Sequence, residues 1–440
     1  LMHGPILKSL LLFMLPILIS NLFQQLYNMV DTAVVGKFVG EDAVAAVGSS
    51  FPIVFLSVAV ASGLSMGCTV VVSQLFGAGR IHEMKTTIST AIISLSVLGL
   101  ILMALGTISA GPLLELLGTD PDIMADSQTY LRIYFGGAVF LFLYNTLNGI
   151  YNAQGDSKTP LIFLMISSLT NIVLDFLLVG VLRGGIVGAA SATVISQMVG
   201  GIGPMFYFFN RKNSSLLHFV RPKFSAKALG KACANGSSEL MTNLSASLVS
   251  ALYNLQLMKL IGADGVAAYG VLMYVGFIFA AVFIGYAQGC APIISYHYGA
   301  ENNDELKNLF RKSITMLAIA GVAMFASAQL MATPLAKMFV GYDAGLMELT
   351  EHALKLYAFS FLLCGFNIFS SAFFTALNNG AISAAISFLR TLVFQVFAVL
   401  VLPMVLDIDG IWYALVFAEA AALLVSAVLL VKNRNRYHYA

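Results

Sequence analysis

The sequence predicts an all-α integral membrane protein with twelve transmembrane helices in two pseudo-symmetric six-helix bundles. Three observations lead to this prediction. Hydrophobic residues make up 59% of the 440 residues and charged residues only 10%, whereas soluble domains carry about 25% charged residues. Many apolar stretches exceed the roughly 20 residues that cross a bilayer. Finally, the second half of the chain repeats the first.

The hydropathy pattern divides the chain into about twelve apolar spans, numbered here in chain order. Turn-rich segments such as GDSKTP, LRGG, LDIDG and LNNG separate them. We predict spans near 9–35, 51–77, 87–110, 129–153, 160–181, 186–209, 232–260, 266–295, 313–338, 350–377, 381–405 and 410–432.

The basic residues are divided unequally between the two sides of the predicted membrane. With the N-terminus inside, sixteen of the 23 Lys and Arg residues fall on that side, six fall on the other, and Arg390 lies within a span. Cytoplasmic loops of membrane proteins carry such an excess. The bias predicts a multi-pass protein of a bacterial-type cytoplasmic (inner) membrane with both termini in the cytoplasm. No secretory signal peptide is evident ahead of span 1.

An internal repeat relates the two halves at a constant shift of 222 residues. GLSMGCTVVVSQLFGAG at 63–79 aligns with GYAQGCAPIISYHYGAE at 285–301, and GEDAVAAVG at 40–48 aligns with GADGVAAYG at 262–270. Two halves of equal orientation are related by an axis along the membrane normal. We therefore expect an N-terminal lobe over 1–209, a basic cytoplasmic linker over 210–231 and a C-terminal lobe over 232–440.

Charged residues inside the predicted spans are the strongest functional signal. We single out Asp31 in span 1, Asp175 in span 5, Glu239 in span 7 and Arg390 in span 11. A charge at the bilayer centre costs at least about 2.5–3.5 kcal/mol, so such residues are usually paired and functional.

Polar residues share helix faces with the two aspartates of the first half. On span 1 this face carries Gln24 and Asn28, and on span 5 Asn171 lies one turn from Asp175. Spans 4 and 6 carry further rows, which contain Asn145, Asn148, Asn152, Thr193 and Gln197. We expect these faces to converge on one polar pocket; for the amides, hydrogen bonding between helices is the alternative. Two neighbouring carboxylates share protons or bind Na⁺ together with amide and hydroxyl oxygens.

The second half lacks this pair of acids. At the shift of 222, Tyr253 takes the place of Asp31, which predicts that the second half mainly supplies cavity walls. Glu239 is either a gate or substrate contact, or a residue near the interface that reaches water. Arg390 either pairs with Glu239 or stabilises packing. Pro16 in span 1 predicts a kink, either static or dependent on protonation of Asp31.

The sequence resembles the multidrug and toxic compound extrusion (MATE) transporters over nearly its whole length. LYNMVDTAVVGKFVGEDAVAAVG, GCTVVVSQLFGAG, NIVLDF and GIVGAASATVISQ carry the resemblance, and SSELMTNLSASLVSALYN and YHYGAENNDELKNLFRK look most like the MepA-like branch. The family implies a V-shaped pair of lobes and antiport of organic cations against H⁺ or Na⁺.

The resemblance also implies roles for particular residues. It assigns cation coupling to Asp31, Asn171, Asp175 and Thr193, and a bending proline to Pro16. Other branches place an essential Glu in the middle of helix 7, where this chain has Ala246.

We therefore expect a monomeric exporter of small-molecule drugs and organic cations, without cofactor, catalytic residues or nucleic-acid partner. A lipid-linked sugar flippase is the first alternative, but it would need several intramembrane cations to hold pyrophosphate. A channel would favour symmetric rings of charge, and a receptor would usually carry a soluble signalling domain. An enzyme would need a nucleophile–base constellation, and none is evident in the spans.

Overall fold

A computed structural model of the chain describes residues 6–210 and 223–440, and almost all of these residues are helical. Most of the predicted basic linker therefore lies outside the described residues. The chain forms two compact units, which consist essentially of Leu11–Gly236 and Ser237–Ala440.

The first six spans keep the predicted order. Span 4 is bent by 49° at Gly137, between its two helical parts. Span 5 ends in a π-helical segment. The helices of spans 1–6 are Ile6–Phe38, Glu41–Gly77, Ile81–Leu116, Pro121–Gly136 with Ala138–Ala153, Lys158–Leu174 with Asp175–Val181, and Gly185–Phe209.

The last six spans follow the same plan. Span 10 passes through a short 3₁₀ turn and span 11 through a second π-helical segment. The helices of spans 7–10 are Ala226–Leu260, Ala263–Gly299, Asn303–Val340, and Ala344–Tyr357 with Ala358–Ser360 and Phe361–Ala376. Spans 11 and 12 share Gly380–Phe388, Leu389–Val393 and Phe394–Tyr437.

The helices of the described residues account for the twelve predicted spans. Nine are long and apolar enough to cross a membrane, or ten when the bent pair of span 4 counts as one span. The helix of span 7 is too polar to be counted among these nine. The 58-residue stretch Gly380–Tyr437 holds two spans, because Asp407 adopts a positive φ of 50° that breaks the helix. The predicted fold class is confirmed.

Several predicted spans began too late in the sequence. The acidic stretch at 119–126 falls between predicted spans 3 and 4, but helix begins there at Pro121, and the Asp120 carboxylate accepts a hydrogen bond from the Asp122 backbone N–H at 3.0 Å. Span 7 begins at Ala226, inside the predicted linker. Capping and first-turn residues are polar, so hydropathy alone misses them.

The sequence repeat has a structural counterpart in each unit. Gly40 and Gly262 both precede a helix with positive φ, 119° and 91°, a conformation that glycine adopts without strain. The Ser73 hydroxyl donates to the Ala153 carbonyl at 3.3 Å, and Ser295 donates to Ala376 at 2.9 Å. The two halves therefore repeat turn and helix-crossing geometry as well as sequence.

Small residues allow close helix crossings, which is typical of packing between membrane helices. A β-carbon added to Gly99 in span 3 would lie 2.7 Å from the Cα of Val139 in span 4. Backbone atoms cannot move aside as a flexible side chain can. Gly48 in span 2 has no atom within 4 Å of the same added position.

We expect Gly99→Ala to destabilise the protein by roughly 1–3 kcal/mol, the usual cost of overpacking. Gly48→Ala, the matched control, should be neutral or slightly stabilising because alanine favours helix. Thermal unfolding in detergent, followed by size-exclusion chromatography, measures both. Equal melting temperatures for the two variants would contradict the close crossing.

Candidate cation-coupling site

The centre of the site is a pair of carboxyl groups from spans 1 and 5. The Asp31 and Asp175 side chains are close enough to interact electrostatically with each other. Asp175 is fully buried and Asp31 is half-buried. Two ionised carboxylates that interact in a medium of low dielectric constant repel each other strongly. A proton or a cation between them would relieve this repulsion.

Asn171 adds an amide to this pair. It lies one turn before Asp175 and is buried, and neither its Oδ1 nor its Nδ2 has a hydrogen-bond partner among the described residues. The same holds for both carboxylate oxygens of Asp175 and for Oδ1 of Asp31. Each unsatisfied buried polar group costs about 1–3 kcal/mol. This concentration of unpaired oxygens fits a site that takes up an ion or proton.

A change of helix type occurs at Asp175. The α-helix of span 5 ends at Leu174, and Asp175–Val181 form a π-helical segment. Such segments in α-helices often occur at functional sites. Here the wider turn begins at the residue whose side chain faces Asp31.

Tyrosines lie beside the two acids, and sequence analysis did not identify them. Tyr130 of span 4 lies close enough to interact electrostatically with both Asp31 and Asp175, and Tyr27 of span 1 interacts with Asp31. Tyr134, one turn after Tyr130, lies beside Gln197. Two tyrosines four residues apart in QTYLRIYFGG were the available signal. Tyr130 and Tyr27 are the two phenols that interact with the acids.

Apolar residues complete the wall of this region. Tyr130 belongs to a buried cluster of the first unit together with Val34, Val35, Val179 and Ala189. Val34 and Val35 follow Asp31 by about one turn, and Val179 follows Asp175 by four residues, so buried apolar side chains lie next to both acids along their helices. Charge interactions are strong in such surroundings of low dielectric constant.

Thr193 is buried in span 6, and its hydroxyl donates to the Ala189 carbonyl at 3.1 Å. The oxygen lone pairs remain available as acceptors. In the described residues, no hydrogen bond joins Thr193 to Asp31, Asn171 or Asp175. Its role as a fourth ligand therefore stays a prediction.

The amides predicted to line the cavity are mostly bonded locally. Asn145 donates to the Leu141 carbonyl at 2.9 Å, and Asn152 donates to Asn148 at 3.0 Å. On span 1, Gln24 is half-buried and Asn28 is exposed. These contacts favour hydrogen bonding within span 4, while contact with substrate stays a prediction for all of these side chains.

Span 1 remains helical through Pro16. The Ser20 hydroxyl donates to the Pro16 carbonyl at 2.8 Å, four residues back. Bonds of this kind bend helices slightly. Proline and serine thus weaken the same two turns of the helix.

The donor atoms suit a small, hard ion. Across residues 6–210 and 223–440, no group of three or more His, Cys, Asp or Glu side chains is placed to hold a metal. Two carboxylates, an amide and a hydroxyl from Asp31, Asp175, Asn171 and Thr193 match the oxygen ligands that hard cations prefer. The same atoms would also hold a proton between the acids.

The second unit contains a buried ion pair that the sequence analysis missed. Arg390 of span 11 donates from Nε and Nη2 to the Glu419 carboxylate of span 12, at 2.7–3.0 Å. Asn367 donates to Glu419 Oε2 at 2.7 Å and accepts a hydrogen bond from Ser426 at 3.2 Å. Fork-shaped pairing of this kind is among the strongest polar contacts in proteins.

This network corrects two expectations. Two alternatives were left open for Arg390, and the structure does not show its pairing with Glu239, because its guanidinium is hydrogen bonded to Glu419. The interpretation of the second half as mainly cavity walls was also incomplete, since Glu419 had been overlooked within VFAEAAALL of span 12. The charge in an apolar run was the available signal, whereas its partner in span 11 required the fold.

We expect Arg390→Met and Glu419→Leu, made singly, each to destabilise the protein by roughly 3–5 kcal/mol, because each leaves an unpaired buried charge. Together they should restore much of the loss, since an apolar pair of similar volume often replaces a buried ion pair at little cost. A double-mutant cycle of thermal stabilities measures this coupling. Additive losses would contradict the pairing.

Comparison with known proteins places the chain in a family. The MatE family model matches residues 16–177 and 240–400. The Probable multidrug resistance protein YoeA of Bacillus subtilis (strain 168) is 29% identical over 373 residues, which cover 81% of this chain and 78% of YoeA. The multidrug export protein MepA of Staphylococcus aureus (strain NCTC 8325 / PS 47) is 21% identical, covering 98% of this chain and 95% of MepA.

A solved structure of MATE in the bent conformation has the same fold. Its TM-score is 0.93 at 23% identity, over 99% of this chain and 96% of that one. The two matched segments fall in the two repeated halves and together make up well over half of the sequence. The chain therefore belongs to the MATE family of multidrug transporters.

Proposed function

We propose that the protein exports organic, often cationic compounds in exchange for H⁺ or Na⁺, and that Asp31 and Asp175 hold the coupling ion. One observation carries this proposal: two acids from different helices meet in a buried site beside an unpaired amide. A structural role alone would favour carboxylates that are fully hydrogen bonded, and these are not.

The coupling follows from charge. When both acids are ionised, the site attracts cations into the first unit. Uptake of H⁺ or Na⁺ from outside neutralises part of this charge, which weakens attraction for a cationic substrate and favours its release. Alternating access of the two lobes would then expose the site to the cytoplasm, where the ion leaves.

The substrate class is drawn from the relatives. YoeA and MepA are described as a multidrug resistance protein and a multidrug export protein, so we assign this chain small organic drugs as substrates. The excess of Lys and Arg on one side supports an orientation with both termini in the cytoplasm of a bacterial cell and the chain in its cytoplasmic membrane. The repeated lobes 1–209 and 232–440 make a functional monomer.

The lipid-linked flippase alternative loses support from the ion pair in the second unit. Arg390 lies near the middle of predicted span 11, and two of its guanidinium nitrogens donate hydrogen bonds to Glu419. A pyrophosphate group would have to compete with that carboxylate.

We predict that Asp31→Asn and Asp175→Asn each lower the initial rate of ion-driven efflux at least tenfold, because an amide cannot take up and release a proton. Efflux of a fluorescent organic cation from cells or everted vesicles is the measurement. Asp126→Asn, at an exposed position of span 4, is the matched control and should transport normally. Undiminished transport by Asp31→Asn would contradict the proposal.

The coupling ion can be identified in proteoliposomes that carry the pure protein. A pH gradient and a Na⁺ gradient are imposed separately while substrate movement is followed. We expect one gradient to accelerate transport and Asp175→Asn to remove that acceleration. If neither gradient has an effect, secondary antiport is rejected.

Na⁺ coupling predicts a further dependence on Thr193, because Na⁺ requires additional oxygen ligands whereas a proton does not. We therefore expect Thr193→Val to raise the Na⁺ concentration for half-maximal transport several-fold if Na⁺ is the coupling ion, and Thr193→Ser to preserve it. Equal Na⁺ dependence of both variants would exclude this ligand set.

A further inference from the structure

The second unit encloses a cavity of about 210 Å³ that the proposed coupling site does not use. Helices of spans 7, 8, 10, 11 and 12 line it. Its walls are rich in aromatic rings, and the Arg390–Glu419 pair lies among its lining residues. The rings are those of Tyr253, Tyr269, Tyr357, Phe361 and Trp412.

Flat rings form much of this wall. Tyr253 and Tyr269 stack with their centroids 4.8 Å apart and their planes at 11°. Tyr357 contacts the edge of Phe361, with centroids 5.8 Å apart. Aromatic partners prefer stacked or edge-to-face contact. Such walls favour a planar guest.

The charges in the cavity neutralise each other. Both oxygens of Glu419 accept hydrogen bonds from Arg390, and Oε2 also accepts one from Asn367. No other lining residue is an acid or a base of the Asp, Glu, Lys, Arg or His type. A charged guest would therefore lose its hydration without gaining an unpaired counter-charge, which makes its binding unfavourable.

One lining group has an unused hydrogen-bonding capacity. Trp412 is 1% exposed, and its indole Nε1 has no partner among the described residues. Indole nitrogen only donates, so its complement is an acceptor such as a carbonyl oxygen. Buried polar groups in proteins are almost always satisfied.

We propose that this cavity binds a small, uncharged, planar aromatic molecule whose carbonyl oxygen accepts a hydrogen bond from Trp412. Its volume somewhat exceeds that of an engineered cavity of about 150 Å³ that binds benzene, so one substituted ring fits. If the guest is also transported, the site indicates a class of uncharged substrates, and this part of the proposal rests on the proposed export function. The binding of the guest in the cavity does not depend on that function.

The experiment uses Trp412 as its own reporter, because it is the only tryptophan in the sequence. Purified full-length protein in lipid nanodiscs is titrated with 4-iodobenzamide, whose iodine quenches indole fluorescence on contact. We expect saturable quenching. 4-Iodobenzylammonium and 4-iodobenzoate have the same ring with a positive or negative charge, and they should bind at least tenfold more weakly.

A second protein controls for partition into lipid. In Trp412→Phe/Leu424→Trp the reporter moves to a position of span 12 that is 72% exposed, where quenching should rise linearly without saturation. Saturable quenching of equal strength in both proteins would overturn the proposal. Equal or tighter binding of the ammonium compound would overturn the assigned ligand class.

Filling the cavity tests its location. Ala280→Phe places a ring at a lining position and should weaken 4-iodobenzamide binding at least tenfold. Ala323→Phe, on an exposed position of span 9, is the matched control and should bind normally. Unchanged binding by Ala280→Phe, with the variant folded, would exclude this cavity.

The two proposals fail separately. If saturable binding is absent while efflux still depends on Asp31, only the proposed binding in the cavity is contradicted. If binding is saturable but neither gradient drives transport, only the proposed coupled export is contradicted.

Discussion

The meeting of Asp31 and Asp175 is the constraint on which the first unit depends. Two unit charges about 4 Å apart interact by about 4 kcal/mol at an effective dielectric constant near 20. The fold brings the acids together across spans 1 and 5 and surrounds them with apolar side chains and tyrosines. A proton or cation bound between the acids would offset this cost. In the proposed function the folded state would thereby be linked to occupancy by an ion, which coupling requires.

The two halves meet the problem of buried charge in different ways. Beyond span 4 the repeat runs at an offset of 223 residues, as Asp156 and Asn379 show, since the side chain of each accepts a hydrogen bond from the backbone N–H three residues on. At that offset Arg390 and Glu419 replace Ser167 and Ser196, and Ser167 donates to the Ser196 carbonyl at 2.7 Å across the same separation of 29 residues. A neutral helix contact in one half is an ion pair in the other.

The sequence predicted the features that depend on local pattern and on repetition. Hydropathy and the duplicated motif predicted twelve helices, and helical spacing placed Asn171 one turn from Asp175. Features that depend on approach between distant helices were not accessible. The pairing of Arg390 with Glu419, whose separation of 29 residues spans two helices, is one example. The π-helical segment at Asp175 is another, because no residue in NIVLDFLLVG marks a widened turn. Hydropathy averages also conceal a single acid such as Glu419.

Net charge distinguishes the roles of the two units. In the proposed function, exchange of H⁺ or Na⁺ at Asp31 and Asp175 would change the charge of the first unit, whereas the Glu419 carboxylate is hydrogen bonded by Arg390 and Asn367. A conformational equilibrium is shifted only by an interaction that differs between its states. A carboxylate with every strong acceptor position occupied provides no such difference, while the unpaired oxygens of Asp175 and Asn171 do. The proposed ion cycle would therefore act through the first unit, and an uncharged guest bound in the second unit would leave the coupling charge unchanged.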